Sequence, residues 1–502
     1  MNLASIIDAH PDDAVAVISA NHVTTYGDLR AQVGAFRGGL ARHGVQPGDR
    51  VAIVMANNWY FVVAYLAALG VGAVVVPLNP QSPTQELVGE LKSVEPRVVC
   101  VGPTGSDAFS DVDRAAVGVE TVIVPEGVLL PDTISFEDLL VSDVAAVVER
   151  TDDDLALLMF TSGTAGAPKA AMLTHGNLRS NIEHVQATGT GALSPTDSVL
   201  GALPLFHIYG LNGALGQALY CGASMVLIQR FDPLAALQSI RERELTVVVG
   251  VPPMFESWVS LPLAEATRRD FASVRIAASG ASKLDPTLAS AFFDRFGHHI
   301  GEGYGLTEAA PVVSTSDFTG EHVGTIGLPV PGVQVRLVDE GGADALVGDS
   351  GEIWVKGPNV FPGYWRDEAA TARALTPDGW LRTGDIAVAD SDGYLTIVDR
   401  EKDLIIVSGF NVFPAEVEAV LSQHPGVADA AVIGSPHPHS GETVKAFVVA
   451  KPDRLLEEDD LIAFCSQRLA RYKCPTKFTF VDELPHGLSG KLLRRGVRVL
   501  DV

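Results

Sequence analysis

Short runs of valine, isoleucine and other apolar residues recur along the first half of this chain, each about the length of one β-strand. They occupy residues 50–55, 98–101, 121–124, 224–228 and 246–249. Runs that are apolar at nearly every position indicate strands buried on both faces, as in parallel sheets. The intervals between such runs leave room for one helix each. The pattern therefore predicts a layered α/β architecture built on parallel sheets.

A different strand pattern begins after Gly324. The strands predicted at 333–338 and 351–355 alternate apolar and polar residues, and turn dipeptides containing glycine stand at 341–342 and 392–393. Short alternating strands separated by such turns are typical of antiparallel sheets. This part of the chain therefore predicts a smaller, barrel-like antiparallel region.

A charged segment at residues 398–403 separates the strand predicted at 394–398 from an apolar run at 404–407. About a hundred residues remain beyond it, which is the length of a small domain. We therefore expect an N-terminal domain over residues 1–398 and a C-terminal domain over residues 404–502.

Charge and cysteine content argue against several classes of protein. The 502 residues include 36 Lys+Arg and 61 Asp+Glu, a formal net charge of −25. So acidic a chain is not expected to attract nucleic acids or anionic membranes, although one loop can still bind a small anion. Four cysteines in a chain of this length are too few for a disulfide framework, and the absence of a C-x-x-C pair argues against a zinc ribbon.

One uncharged stretch, residues 60–78, has the length of a membrane span. Gly70, Gly72 and Pro77 interrupt it, so we expect a buried helix and a strand there and no transmembrane segment. The N-terminus lacks the basic start of a signal peptide. We therefore expect a cytoplasmic protein.

The first segment that suggests chemistry is residues 161–169, Thr-Ser-Gly-Thr-Ala-Gly-Ala-Pro-Lys, directly after an apolar run. Small residues and hydroxyls allow a loop to wrap a polyanion, and one lysine neutralises it. The loop is not a Walker A motif, because Pro168 precedes the lysine and Ala170 follows it. A flexible turn between two strands remains an alternative explanation.

The second segment, residues 301–308, reads Gly-Glu-Gly-Tyr-Gly-Leu-Thr-Glu and lacks the glycine spacing of a dinucleotide-binding loop. Tyr304 could lie flat on a base, and Glu308 could hold a hard cation that bridges phosphate oxygens. The alternative is an ordinary helix N-terminus with Thr307 and Glu308 in its first turn.

Two further loops carry isolated polar residues. Asp385 ends the segment 379–385 and could accept both hydroxyls of a ribose, as acidic residues do in nucleotide sites. Lys491 follows Leu-Ser-Gly near the C-terminus. Taken alone, the segment that ends at Asp385 is explained as a turn, and Lys491 is explained as a solvated surface lysine.

These segments occur together and in order, and in this arrangement the chain resembles the adenylate-forming superfamily of acyl-CoA synthetases, luciferases and peptide-synthetase adenylation domains. The resemblance extends from residues 24–29 to Lys491. Within the superfamily the chain is most similar to bacterial fatty-acid–CoA ligases. The stretches that carry this likeness are 203–210, 397–412, 441–445 and 482–485.

The resemblance implies a fold. It is a large multi-subdomain N-terminal α/β domain with a small β-barrel-like region, plus a small mobile C-terminal α+β domain that turns about a hinge at residues 399–403. It also implies a reaction, in which a medium- or long-chain fatty acid is activated by ATP and Mg²⁺ as acyl-AMP. The acyl group then passes to CoA, and AMP and pyrophosphate are the other products. The first step brings two anions together, so the site must supply positive charge.

The resemblance also implies roles for particular residues. Lys491 would stabilise charge during adenylation, Lys169 would hold phosphates, and Mg²⁺ would bind Glu308 with Thr161. The implied catalytic positions are Lys491, His207 beside the acyl channel, Lys169 and the hinge residue Lys402. The positions implied to bind ATP or to face the thioester site are Thr161, Ser162, Gly163, Thr164, Ala165, Gly166, Gly280, Ala281, Gly303, Tyr304, Gly305, Thr307, Asp385, Ile397, Arg400, Gly409 and Asn411.

The chain departs from the family pattern in the phosphate loop. Ala165 stands where the family usually has Thr, and Ala170 where it usually has Gly. Losing one hydroxyl removes one possible bond to a phosphate oxygen, worth ~1.5–3 kcal/mol. Because three hydroxyls remain in the loop, we expect an active enzyme whose turnover can be reduced.

The sequence leaves alternatives open. The predicted acyl-pocket segments, 206–216, 249–255 and 277–281, contain no Lys or Arg, which favours a monocarboxylic acid. An aryl or short-chain acid, or a carrier-protein thiol in place of CoA, would use the same adenylation chemistry. A nucleotide-binding protein that has lost catalysis is the alternative from another class. Whether the chain forms a homodimer is left open.

Overall fold

The chain divides into two compact units. The computed structural model describes residues 1–20, 22–161, 169–400, 403–407, 410–437, 441–452, 456–469, 471–487 and 492–501. The first unit comprises Met1–Gln334 and Val355–Leu381, and the second comprises Val335–Trp354 and Arg382–Val502. The boundary predicted near residue 398 stays a prediction.

The strands, in chain order, are β1 Val15–Ser19, β2 His22–Thr25, β3 Arg50–Val54, β4 Val74–Leu78, β5 Val98–Val101, β6 Thr121–Val124, β7 Ile134–Ser135, β8 Leu155–Thr161, β9 Lys169–Thr174, β10 Ser198–Gly201, β11 Ser224–Leu227, β12 Val247–Gly250, β13 Ile276–Ser279, β14 Ile300–Gly305, β15 Val312–Thr315, β16 Leu328–Pro329, β17 Gln334–Val338, β18 Ser350–Lys356, β19 Gly363–Tyr364, β20 Leu381–Ala389, β21 Leu395–Arg400, β22 Ile405–Val407, β23 Phe410–Val412, β24 Val427–His437, β25 Gly441–Ala450 and β26 Lys477–Phe480.

The α-helices are α1 Tyr26–Arg42, α2 Trp59–Gly70, α3 Thr84–Val94, α4 Ser106–Ser110, α5 Phe136–Leu140, α6 His175–Gln186, α7 Gln217–Cys221, α8 Pro233–Glu242, α9 Pro252–Ser260, α10 Pro286–Phe296, α11 Glu368–Ala374, α12 Pro414–Ser422, α13 Glu458–Ser466 and α14 Arg494–Val499. A π-helix, Tyr209–Gly216, runs directly into α7. Side chains fix several helix starts. Thr25 with Asp28, and Thr174 with Asn177, form capping boxes at α1 and α6.

An eight-stranded sheet forms one layer of the first unit, in the order β19-β9-β8-β4-β3-β5-β6-β7. β3 pairs in parallel with both β4 and β5, and every residue of those two neighbours is buried. Helix α3 packs Leu87, Leu91 and Val94 into the same apolar core. The parallel sheet predicted from the apolar runs is therefore confirmed here.

A nine-stranded sheet forms the other large layer, in the order β16-β15-β14-β13-β12-β10-β11-β1-β2. β12, β13 and β14 are parallel neighbours, with Gly250 opposite Ser279 and Ser279 opposite Glu302. The carboxyl ends of parallel strands share one edge of a sheet, which is where open α/β sheets bind ligands. That edge carries the segments that the sequence singled out at 280–281 and 303–305.

The second unit contains two smaller sheets. One has the order β17-β18-β20-β21, and the antiparallel β20–β21 pair agrees with the predicted barrel-like region. The other has the order β23-β22-β25-β24, with β26 alongside β25, and α12 and α13 pack Val417, Leu421 and Leu461 against it. Among the described helices, none is long and apolar enough to cross a membrane.

Candidate active site

The ends of the predicted phosphate loop lie on two paired strands of the first unit. Thr161 ends β8 and Lys169 begins β9, and the two residues are opposite each other in the antiparallel pair. The Thr161 hydroxyl donates to the Lys169 carbonyl over 3.4 Å. The candidates Ser162 to Gly166 lie outside the described residues. Ala170, one of the two departures from the family pattern, is buried in β9.

Glu308 lies in a single 3-10 turn, Thr307–Ala309, that follows β14. The alternative explanation, a helix N-terminus with Thr307 and Glu308 in its first turn, agrees with this short helix. One carboxylate oxygen of Glu308 accepts a hydrogen bond of 2.6 Å from the Tyr364 hydroxyl. The Lys169 ammonium lies 5.2 Å from the centre of the same aromatic ring. The predicted phosphate lysine and the predicted metal carboxylate thus contact one side chain.

Three buried asparagines hold this turn in place, and the sequence analysis missed all of them. The Asn359 amide donates to the Ala309 carbonyl over 2.8 Å, and the Asn212 amide donates to the Ala310 carbonyl over 2.7 Å. The Asn181 side chain donates to the Val312 carbonyl over 2.7 Å and accepts from the Val312 amide over 3.2 Å. The sequence contains one indication of a structural role for Asn212, because it is a single polar amide within an apolar stretch.

The candidate adenine frame lies at the shared edge of β13 and β14. Gly280 follows β13 and donates to the Gly250 carbonyl over 3.2 Å. Ala281 next to it has a φ of 66°, in the left-handed region. Tyr304 is buried, and β14 carries it between Gly303 and Gly305. The structure therefore brings both predicted adenine segments to one edge.

A buried carboxyl group, Glu302, supports this edge and was not predicted. It is 5% exposed, and one of its oxygens accepts a hydrogen bond of 3.0 Å from the Leu284 amide. Burial raises the pKa of Glu302 to about 7, although the Leu284 amide and the Lys283 charge act in the opposite direction. The backbone just beyond Gly280 and Ala281 is thus anchored to the strand that carries Tyr304.

The predicted acyl-pocket segments also meet in the first unit. The Tyr209 ring lies so close to Gly280 that a β-carbon there would be 3.0 Å from the ring, and 2.9 Å from it at Gly213. His207 precedes the π-helix, and its ring centre is 4.9 Å from that of Phe206. The imidazole keeps a solvent-exposed face, while the surrounding protein partly desolvates it and lowers its pKa.

The second unit holds the remaining candidates. Asp385 is buried on β20, and its backbone stands opposite Arg400 in the β20–β21 pair. Ile397 pairs with Ala387 on the same two strands. The backbone before Asp385 is held by a hydrogen bond of 2.8 Å, which the Gly384 amide donates to a Glu352 carboxylate oxygen.

Several candidates of the second unit cannot be described further. Lys402, Gly409 and Lys491 lie outside the described residues. Only the backbone of Asn411 is placed, in β23 opposite Ile406. Their roles stay predictions.

Comparison with known proteins decides the family. Residues 4–365 match the AMP-binding enzyme family, and residues 416–491 match the AMP-binding enzyme C-terminal domain. The chain belongs to the AMP-binding enzyme family. The resemblance to adenylate-forming enzymes is therefore confirmed over both parts of the chain.

Relatives of this AMP-binding enzyme include CoA ligases that are named for different substrates. The long-chain-fatty-acid–CoA ligase of Escherichia coli O6:H1 is 38% identical over 518 residues, covering 97% of this chain and 91% of that protein. A feruloyl-CoA synthase from an Amycolatopsis species is 38% identical over 487 residues, covering 97% and 95%. The crystal structure of ATP-bound MatB from Rhodopseudomonas palustris has a TM-score of 0.91 and 34% identity, covering 99% and 98%.

These likenesses also confirm the predicted fold class and enzyme class, an α/β acid–thiol ligase that uses ATP and CoA. The donors for Mg²⁺ fit that class as well. Within the described residues no three His, Cys, Asp or Glu side chains gather as a metal cage. A single carboxylate and a hydroxyl suit Mg²⁺, which binds one or two carboxylates together with substrate phosphates and water.

Proposed function

We propose that this AMP-binding enzyme activates a medium- or long-chain fatty acid as acyl-AMP and transfers the acyl group to CoA. The observation that carries the proposal is the contact of both Lys169 and Glu308 with Tyr364, at the end of the paired strands β8 and β9. A cation for phosphates and a carboxylate for Mg²⁺ are thereby gathered next to the ends of the loop at 161–169. Adenylation requires both groups, because the attacking acid and the triphosphate are both negatively charged.

In the first half-reaction a carboxylate oxygen attacks the α-phosphorus and pyrophosphate leaves. Thr161 to Gly166, with Lys169, would hold the β- and γ-phosphates. Glu308 with Thr161 would hold Mg²⁺, which supplies positive charge to the phosphate oxygens when bound. Lys491 would approach the α-phosphate and the attacking carboxylate, where negative charge increases most.

For the nucleoside we propose two sets of contacts. The backbone at Gly280, Ala281 and 303–305 would frame the adenine, with Tyr304 stacked on the ring and Thr307 beside it. The Asp385 carboxylate would accept the ribose hydroxyls, with Arg400 and Ile397 on the neighbouring strand.

In the second half-reaction the CoA sulfur attacks the acyl carbon, the thiol proton is lost, and AMP leaves. We propose that residues 404–502 turn about the hinge 399–403, at Lys402, between the two half-reactions. Lys491 would then withdraw, and the loop containing Gly409 and Asn411 would face the thioester site. We place this reaction in the cytoplasm.

The acyl-pocket segments favour an apolar monocarboxylic acid. Val249, Val251 and Met254 are buried, and none of the described segments 206–216, 249–255 and 277–281 contains Lys or Arg. A second carboxylate on the substrate would therefore find no cation from these segments. His207 would orient the reacting carboxylate at the entrance.

An aryl acid is the second candidate substrate, and Tyr209 favours it. Its half-buried ring lies against Gly213 and Gly280, so it offers a flat face where a planar acid could stack. One of the relatives is a feruloyl-CoA synthase. The alternative acceptor is a carrier-protein thiol in place of CoA, and the proposed assembly of more than one chain is a homodimer.

The test is a substrate panel with the purified chain. ATP, Mg²⁺ and CoA are supplied with saturated acids from C4 to C18 and with aryl acids, and AMP and acyl-CoA are measured by mass spectrometry. We expect the highest kcat/KM with a medium- or long-chain acid. A maximum with an aryl acid would select the second candidate. If none of the acids leads to AMP formation, the proposed ligase activity is refuted. Replacing CoA by a phosphopantetheinyl carrier decides the acceptor.

A further inference from the structure

Residues 361–364, which we call the strap, hold Glu308 at two points. The Phe361 amide donates to the Glu308 backbone carbonyl over 2.9 Å. The Tyr364 hydroxyl donates to a Glu308 carboxylate oxygen over 2.6 Å, a short bond of the charge-assisted kind. Both the backbone and the side chain of Glu308 are therefore fixed by the same short segment.

The other side of the strap is attached to the strand that begins with Lys169. Tyr364 is opposite Ala171 in the β19–β9 pair, and the Trp365 amide donates to the Ala170 carbonyl over 2.8 Å. The Lys169 ammonium lies over the Tyr364 ring. The ammonium contacts the ring and the carboxylate contacts the hydroxyl, so the two charges engage different parts of one side chain.

The backbone around Tyr364 is itself held rigidly. Its amide donates to the Thr371 hydroxyl over 2.9 Å, and that hydroxyl donates to the Asp367 carbonyl over 2.9 Å. Gly363 has a φ of 143°, and a β-carbon there would lie 2.5 Å from the Thr371 methyl group. Only glycine fits this position.

We propose that Tyr364 is a positioning residue for adenylation. Its hydroxyl holds one carboxylate oxygen of Glu308, which would leave the other oxygen for Mg²⁺, and its ring holds Lys169, which would bind the phosphates. The inference rests on the proposed function, because it needs Glu308 as the Mg²⁺ ligand. Mg²⁺ demands a nearly ideal octahedral geometry, so a carboxylate that is fixed in advance binds it better than one that rotates freely.

The experiment separates the two parts of the side chain. Tyr364→Phe keeps the ring and removes the hydroxyl, whereas Tyr364→Leu removes both. The dissociation constant of Mn²⁺, a substitute for Mg²⁺, from the enzyme–ATP complex is measured without acid by electron paramagnetic resonance. Acid-dependent AMP formation is measured against free Mg²⁺ at saturating ATP, and the KM for ATP is measured at saturating Mg²⁺. We expect Tyr364→Phe to raise the Mn²⁺ dissociation constant and the half-maximal Mg²⁺ concentration about tenfold and to leave the KM for ATP nearly unchanged. Tyr364→Leu should also raise the KM for ATP about threefold.

Tyr60→Phe is the matched control. The Tyr60 hydroxyl also donates to a glutamate, Glu137, over 3.2 Å, but this pair connects α2 with α5 and lies outside the candidate site. The control should keep the Mg²⁺ dependence of the parent enzyme. A folded Tyr364→Phe enzyme with the parent's Mg²⁺ dependence would overturn the inference.

Glu308→Gln distinguishes this failure from a failure of the proposed function. If it leaves the Mg²⁺ dependence unchanged, the metal assignment itself is wrong. If it changes the Mg²⁺ dependence and Tyr364→Phe does not, only the role of Tyr364 is refuted.

If Tyr364→Phe does not fold, Glu308→Asp replaces it as the test variant. That variant keeps the charge but withdraws the carboxylate from Tyr364, and an unchanged Mg²⁺ requirement would again refute the inference.

Discussion

The sheet around β3 and the turn at residues 306–311 both contain fully buried residues, but different forces hold these residues in place. Val51 to Val54 on β3 are 0% exposed, and Ala52 and Val54 belong to an apolar cluster with side chains of neighbouring strands. Ala309 and Ala310 in the turn are also 0% exposed, and their carbonyls accept hydrogen bonds from Asn359 and Asn212. The first region is stabilised by contacts without directional requirements, and the second by bonds that each need one particular partner.

The difference matters because the two regions tolerate change unequally. An apolar core accepts side chains of similar volume with small losses. A buried backbone group that loses its partner costs about 1–3 kcal/mol, because neither water nor another donor replaces it. The turn carries Glu308, so we expect changes to its supports to affect both stability and activity. Changes to the β3 sheet should affect stability alone.

The largest effect is expected from Asn181→Leu. This substitution removes the donor to the Val312 carbonyl and the acceptor of the Val312 amide inside the protein. We expect unfolding to become easier by about 3 kcal/mol. Adenylation, measured by pyrophosphate–ATP exchange, should fall more than tenfold, because the turn with Glu308 is displaced.

The control for this variant is Leu178→Met on the same helix, α6. Leu178 is fully buried, and the replacement conserves its volume, so the loss should stay below about 1.5 kcal/mol and the exchange rate should be preserved. Equal losses in the two variants would show that the hydrogen bonds of Asn181 contribute nothing specific.

An intermediate effect, which depends on pH, is expected from Glu302→Gln. The pKa of Glu302 in the folded chain, about 7, lies above its ordinary value of 4.5. The folded state therefore favours the protonated form, and the stability from this group falls as the pH rises from about 4.5 to about 7. The neutral amide avoids that loss, so the stability of the variant should exceed that of the parent by up to about 3 kcal/mol at pH 8 and match it near pH 4.5.

Denaturant titrations at pH 4.5 and pH 8 measure this difference. The same stability difference at both pH values would contradict the assignment of the pH dependence to Glu302. A variant less stable than the parent at pH 8 would show that the carboxylate is bound in its charged form.

The smallest effect is expected from Ile53→Val on β3. Ile53 is fully buried between β4 and β5, opposite Pro77 and Cys100. Removing one methylene should cost about 1 kcal/mol in the free energy of unfolding and leave the exchange rate within twofold of the parent. A large loss of activity would show that this apolar layer is coupled to the site, and the comparison would fail.

The same contrast explains which features the sequence could predict. β3, β5 and β6 were predicted to within one residue, because an apolar run of four or five residues is typical of a strand that is buried on both faces. Glu308, Lys169 and Tyr304 were selected as candidates because they lie in short local motifs, and their roles stay predictions. Tyr364 was missed, since its partner Glu308 is 56 residues away. Asn181 was missed because its partner Val312 is 131 residues away.

The residue order by itself determined the α/β class, the apolar strands and the family, because each depends on patterns confined to a few neighbouring positions. Only the tertiary structure decided that one tyrosine contacts both a lysine and a glutamate, and that asparagines from α6, the π-helix and the segment before the strap meet at one turn. Hydrogen bonds act over about 3 Å, and which distant residues come within that reach depends on how the whole first unit packs.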